Sequence, residues 1–283
     1  MRFPKGKIVA IGGNEDKGTQ PLPDEGHLRD RIRFFESGIL KRIHDELHGL
    51  GTRIEVITTA SHIPEEMARA YYDGFLLLGC DNVGALHLQT KEDIARPENL
   101  ERLQNTDAVM FTGGDQSRIT KVFAGTQALK ILQERYWQEE KFLISGTSAG
   151  AMALAEVMIL GAAEQNVLVK GAVELGYGLG FLTNVLIDTH FVNRRRIPRM
   201  IESLAAHPNL IGVGLGEDTA VLIKDGNCLE TIGSGLVVLF DGRHLKENNY
   251  AQLAPDEPLC LENMVMHVLP KGKRYHTESG QII

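Results

Sequence analysis

Residues 141–154 read KFLISGTSAGAMAL. A short apolar run ends in Gly146-Thr147-Ser148-Ala149-Gly150, and an alanine-rich helical pattern follows. The string predicts a strand, a tight turn and a helix, with a serine at the apex and glycines two positions to either side. Such a turn lifts the hydroxyl clear of the sheet, and small neighbours let a substrate carbonyl come close. The helix start behind it offers unpaired backbone N–H groups and a positive dipole end to an oxyanion. Gly-x-Ser-x-Gly strings also arise by chance or for packing alone, so the serine acquires meaning only with partners.

The first partner needed is a base. His190 stands in IDTHFVNRRRIPR, at the end of a predicted strand and before a predicted helix. The same string holds Asp188, Asn193, Arg194, Arg195, Arg196 and Arg199, an unusual gathering of polar groups at a strand terminus. A third group must orient the histidine. Glu217 and Asp218, in the glycine-rich segment 212–220, can each accept the imidazole N–H, and the residues themselves do not choose between them. The chain order Ser, His, acid differs from the Ser, acid, His order of α/β-hydrolases. Acyl transfer is the chemistry implied, with the backbone N–H of Ala149 and one from Gly113 or Gly114 holding the oxyanion. Cations near a helix N-terminus oppose its macrodipole, so the arginine cluster calls for an anion, and bidentate capture of substrate carboxylates is the natural use. Two other strings are set aside. His44 and His48 sit at i and i+4 like a zinc-binding pair, but Asp45 stands where glutamate is needed and no third ligand is near. Gly12-Gly13-Asn14 lacks a full phosphate-binding fingerprint and reads as a glycine turn beside the site. No metal and no cofactor are expected.

These residues need a scaffold. The 283 residues allow one large α/β domain, and one domain spanning 1–283 is expected. A net charge of -7 argues against nucleic-acid binding. Cys80, Cys228 and Cys260 are widely spaced and predict no disulfide framework. No apolar run reaches a membrane span, no signal segment is seen, and a cytoplasmic location is expected. Strand-like runs at 7–11, 53–59, 85–88, 108–112, 142–145 and 186–191 alternate with helical patterns. The helical patterns are 28–50, with Ile32, Phe35, Ile39, Ile43 and Leu47 on one stripe, then from Pro64, then up to Gln104, and 117–138. The alternation predicts a mostly parallel sheet flanked by helices, and short apolar runs over 211–240 predict antiparallel strands extending it. The loops at Gly12-Gly13, Gly113-Gly114 and Ser148 would all lie at strand carboxyl ends, where such folds bind ligands.

Five strings in register, IGGNEDK (11–17), FTGGDQSRI (111–119), GTSAGA (146–151), DTHFVNRRRIPR (188–199) and GEDTA (216–220), resemble the cyanophycinases of the S51 serine peptidase family, relatives of aspartyl dipeptidases. The resemblance implies a fold like class I glutamine amidotransferases, flavodoxin-like. It implies Ser148 as nucleophile, His190 as general base and Glu217 as orienting acid. Gln116, Asp188, Thr189, Arg194, Arg196 and Arg199 would line the substrate pocket, with Asp188 meeting a substrate guanidinium. The implied substrate is cyanophycin, a poly-aspartate backbone with arginine on each β-carboxyl, cut to β-Asp-Arg dipeptides by a homodimer. Many cyanophycinases carry Gln where this chain has Thr189, which puts recognition at that position in question. An aspartyl dipeptidase and a non-catalytic binder of acidic peptides are the alternatives.

Overall fold

A computed structural model describes residues 3–18, 34–49, 51–163 and 167–283. Strand β1 (Lys7–Ile11) is followed by α1 (Ile39–Glu46), β2 (Ile54–Ile57), α2 (Pro64–Leu77), β3 (Val83–Leu86), α3 (Lys91–Ala95), α4 (Pro97–Asn105) and β4 (Ala108–Phe111). Then come α5 (Gln116–Phe123), α6 (Gln127–Gln138), β5 (Leu143–Thr147) and α7 (Ala149–Met152). Proline opens α2 and α4 in their first turns, where its missing N–H costs no hydrogen bond. Thr90 and Asp93 form a capping box on α3. The helix expected over 117–138 is two helices. Gly125 takes a φ of 75° between them, and Thr126 caps α6 by accepting from Leu129 N. The stripe expected over 28–50 holds only in part. Ile39 and Ile43 are buried on α1, but Phe35 is exposed, and Ile32 lies outside the described residues.

The second half adds β6 (Val157–Ala162), β7 (Val173–Tyr177), β8 (Val185–Asp188), α8 (Ile197–Ala206), β9 (Ile211–Leu215), β10 (Thr219–Lys224), β11 (Cys228–Gly233) and β12 (Val237–Asp241). Five short strands close the chain: β13 (Glu247–Asn248), β14 (Leu261–Glu262), β15 (Val265–Leu269), β16 (Arg274–His276) and β17 (Gln281–Ile282). The main sheet has nine strands in the order β17-β16-β11-β10-β1-β5-β4-β2-β3. Its β1-to-β3 half is parallel and its other half antiparallel. Successive strand residues feed opposite cores: Ile8, Ala10, Val109 and Phe111 lie in one, and Val9, Ile11, Ala108 and Met110 in the other. A one-residue slip would exchange the two sets, and burying each large apolar side chain is worth roughly 1.5–3 kcal/mol, so register is firmly specified.

The expected extension by residues 211–240 is corrected in one respect. β10 and β11 do extend the main sheet, but β9 and β12 belong to a second sheet, β15-β12-β9-β8, in which β8 and β9 run parallel. Gly212 and Gly214 explain why. A side chain at either would collide with Met200 of α8 or with the Phe191 ring, so β9 is shaped for α8 and the segment before it. The chain passes from the second sheet to the first through the turn 216–218, and β8 delivers His190 from that second sheet. No helix among the described residues is long and apolar enough to cross a membrane.

Candidate active site

β5 lies between β1 and β4, so the loops following these three strands meet at one edge of the sheet. Ser148 caps β5 with φ 50° and ψ -116°, a backbone state costing about 1–3 kcal/mol for a non-glycine residue. It is held by a hydrogen bond from its N–H to Ile11 O at 2.9 Å. The flanking glycines serve packing rather than substrate access. A Cβ at Gly146 would lie 2.6 Å from the Gly150 carbonyl, and one at Gly150 would lie 2.3 Å from Phe111 O. Only glycine lets α7 sit this close to β5 and β4. Ala149 occupies the first helical position, where the N–H has no intrahelical acceptor. Gly113 is beside the serine: a Cβ there would be 3.3 Å from Ser148 Cβ. Gly114 faces elsewhere, with φ 140° and its bare face on the Ala60 carbonyl.

His190 is buried, with Nε2 3.0 Å from Ser148 Oγ and Nδ1 2.8 Å from Glu217 Oε1. A carboxylate only accepts, so Nδ1 carries the proton and Nε2 is free to receive the serine hydroxyl's. Asn193 donates to the other Glu217 oxygen at 3.2 Å. The hydrogen bond from His190, then that from the Asn14 side chain, pull the Glu217 pKa below its ordinary value. Asp218 is turned away. Its carboxylate accepts from Asp16 N at 3.2 Å and from the Ser234 hydroxyl, and burial pushes its pKa up. Of the two acids the sequence left open, Glu217 is the one that touches the imidazole.

The loop after β1 joins these parts. Ile11 O accepts from Ser148 N, Gly12 O from His190 N and Gly13 O from Asp218 N, each at 2.9 Å. Gly13 has φ 101°, and a Cβ on it would come within 2.5 Å of the His190 ring. Gly13→Ala is therefore expected to displace the imidazole and lower kcat on the order of 100-fold, as an ångström of misplacement does. Steady-state kinetics on a variant with unchanged circular dichroism checks this. Asn14, Ser148, His190 and Asp218 all have positive φ, so strain gathers where the loops converge.

Most of the residues expected to line the substrate pocket have partners within the chain. Asp188 is fully buried and faces its own chain: Arg199 Nε donates to Oδ2 at 2.6 Å, Arg199 Nη2 and Arg196 Nη1 (3.2 Å) reach Oδ1, and Thr189 N donates to Oδ1 at 2.8 Å. Every one of these donors belongs to the chain itself, in place of the substrate guanidinium expected there. Arg196 also donates to Thr189 O at 2.7 Å, and burial lowers its pKa to about 10 despite Asp188. The anion demanded by a cationic helix start is thus internal. Thr189 is buried as well, its hydroxyl directed to Met152 Sδ at 3.5 Å. Gln116 gives its amide N–H groups to the carbonyls of Ile159 and Leu160 at 2.9 and 3.0 Å. Arg194 and Arg195 are exposed, and no side-chain acceptor engages either among the described residues. The charge of Arg194 also helps lower the Glu217 pKa.

His44 and His48 lean on separate acids, Asp45 at 3.2 Å and Asp107 at 3.1 Å. Among the described residues no three histidine, cysteine or carboxylate side chains converge on a point that would hold a metal. Glu15, inside the IGGNEDK string, sits behind Thr147, and no local pattern in the sequence marks it, since its hydroxyl partners lie far along the chain.

A serine, a buried histidine and an acid in hydrogen-bonded line on an α/β scaffold form the constellation of a serine hydrolase, and comparisons with known proteins narrow that class to the serine peptidases. The sequence model of Peptidase family S51 matches residues 28–231. The chain is 35% identical over 278 residues to a cyanophycinase from Synechococcus elongatus, covering 98% of this chain and 81% of that one. It is 31% identical to one from Trichormus variabilis, covering 98% and 88%, and 29% identical to one from Geminocystis herdmanii, covering 99% and 97%. This chain belongs to peptidase family S51. Its fold is like that of a peptidase from an acI-B1 Actinobacterium, with a TM-score of 0.60 and 19% identity over 96% of both chains. It is also like a putative peptidase E from Listeria monocytogenes, with a TM-score of 0.52 and 16% identity, covering 81% of this chain and 98% of that one.

Proposed function

We propose that this protein is a serine exopeptidase that hydrolyses cyanophycin to β-Asp-Arg dipeptides, with Ser148 as nucleophile, His190 as general base and Glu217 as the acid that orients it. The observation carrying the reading is the line Ser148 Oγ–His190 Nε2–His190 Nδ1–Glu217 Oε1, at 3.0 and 2.8 Å. Ser148 Oγ attacks the carbonyl carbon of an aspartyl backbone amide while its proton passes to Nε2. The N–H groups of Ala149 and Gly113 receive the oxyanion, a type of contact worth about 3 kcal/mol per donor. The imidazolium returns the proton to the departing amine as the C–N bond breaks. A water then adds to the acyl-enzyme carbonyl as His190 takes its proton, and the imidazolium gives that proton to Ser148 Oγ as the ester bond breaks and the acid product leaves. No metal or cofactor has a step in this scheme.

Relatives that share nearly the whole chain are named cyanophycinases, which supports the substrate. Arg194 and Arg195 are the cations left to meet the substrate's carboxylates. Arg194→Ala is expected to raise KM several-fold with kcat nearly unchanged, the effect of an exposed ion pair worth about 1 kcal/mol, and the difference should shrink as salt is added. KM measured at low and high ionic strength tests this. The same reading makes residues 1–283 one peptidase domain, acting as a homodimer in the cytoplasm.

The deciding experiment is incubation with purified cyanophycin beside Ser148→Ala, with products identified by mass spectrometry. β-Asp-Arg from the wild type alone is the expected result. Cleavage of short aspartyl peptides but not cyanophycin would move the assignment to an aspartyl dipeptidase. Binding of acidic peptides with no Ser148-dependent turnover would make the protein a non-catalytic binder.

A further inference from the structure

Glu15 is 1% exposed, and its carboxylate is engaged from three sides. The Thr147 hydroxyl donates to Oε2 at 2.7 Å, the Tyr71 hydroxyl donates to Oε1, and the Lys17 ammonium lies 3.0 Å from Oε1. These donors come from the end of β5, from α2 and from the loop after β1. Thr147 directly precedes Ser148, so one oxygen of Glu15 grips the nucleophile turn. Tyr71 is fully buried, and burial followed by the neighbouring carboxylate holds its phenol protonated far above the ordinary range, so it remains a donor.

We propose that Glu15 is a positioning residue for the catalytic line, clamping the loop 11–17 to Thr147 and Tyr71 so that Ser148 and His190 are held at their working separation. The inference rests on the assignment of those two residues under the proposed function. Its force lies in what the clamped loop carries. Three consecutive carbonyls, Ile11, Gly12 and Gly13, hold the backbone N–H groups of Ser148, His190 and Asp218, and the bare face of Gly13 lies against the imidazole. The serine, the histidine and the acid's turn arrive from β5, β8 and β9, in two different sheets. The loop is their common reference, and Glu15 joins it to the strand that bears the serine. A small displacement of this loop moves all three at once. A buried carboxylate is also a poor choice for stability alone, since well-packed apolar groups often serve as well or better.

The test compares Thr147→Val, which removes the hydroxyl but keeps the shape, with Thr147→Ser, which keeps the hydroxyl, and adds Tyr71→Phe and Glu15→Gln. Four quantities are read for each: kcat, KM, the rate of Ser148 labelling by a fluorophosphonate, and Tm. Thr147→Val and Glu15→Gln are expected to lower kcat and the labelling rate together, about 10- to 100-fold, with KM changed less than about 2-fold. Thr147→Ser should restore both rates, and Tyr71→Phe should lower them less than Glu15→Gln. If Glu15→Gln does not fold, the valine and serine pair at 147 decides. A lowered Tm with kcat and labelling at wild-type values in Thr147→Val would overturn the inference. Ser148→Ala separates the two claims. Full turnover in that variant overturns the proposed nucleophile, whereas an inactive Ser148→Ala beside a fully active Thr147→Val overturns only the role of Glu15.

Discussion

Alanine at Ser148 or at His190 will each reduce kcat on the order of 10⁴- to 10⁶-fold, and the double variant will lose no more than the worse of the two. The reason is that, on the proposed mechanism, the two side chains do one job. Ser148 Oγ is a weak nucleophile until Nε2, 3.0 Å away, receives its proton, and the imidazole has no role once the hydroxyl is gone. What remains in each variant is substrate binding and the oxyanion donors, which neither substitution touches. KM should stay near its wild-type value, because neither group is asked to hold the ground state. The folded structure should survive Ser148→Ala, which removes one partly buried oxygen. Single-turnover kinetics on the two single variants and the double variant decide the matter. Losses that add would mean that the two residues act independently.

Asp188→Ala will destabilise the protein by about 3–5 kcal/mol, the usual result of removing one member of a buried ion-pair group. The carboxylate is fully buried, and it receives Arg196 and Arg199 together with the N–H of Thr189. Without it two guanidinium groups remain crowded at the start of α8. Burial and the neighbouring charge of Arg199 already act to lower the Arg196 pKa, and Asp188 is the group opposing them. The segment joining β8 to α8 also carries His190, so the loss of packing reaches the site. At a few degrees per kcal/mol for a chain of this size, Tm should fall by roughly 10 °C. Urea melts should show a lower midpoint with unchanged m, and an unchanged midpoint would refute the account. Replacing Asp188, Arg196 and Arg199 together by apolar residues of similar volume should recover most of the loss, since the pair group repays its own desolvation poorly.

Much of the candidate site was legible before any fold was known. The serine turn was readable because its determinants are local: an apolar run, small residues and a helix start within fourteen positions. His190 was readable because a strand end followed by a polar run marks a ligand-facing edge in this class of sheet. The α/β alternation also emerged from periodicity, which is set by the side chains' own neighbours. The breaks were harder. The division of 117–138 into two helices turns on Gly125 and the Thr126 cap, a signal masked by the strong helical pattern on either side.

A nucleophile turn, a histidine and a pair of acids in this order, on an α/β framework, are written in the chain's own local patterns. Which acid touches the imidazole is settled by long-range packing. Glu217 and Asp218 are adjacent, and Asp218 turns away because its N–H is held by Gly13 O and its carboxylate by Asp16 and Ser234, all distant along the chain. The same holds for the arginine cluster. A sequence can show that Arg196 and Arg199 need an anion, but an internal carboxylate and a substrate carboxylate satisfy that need equally. Strand β8 buries Asp188 while the turn beyond it brings His190 to Ser148. Which face each residue takes is set by contacts between the two sheets, and those depend on pairings across long sequence separations that no local pattern encodes.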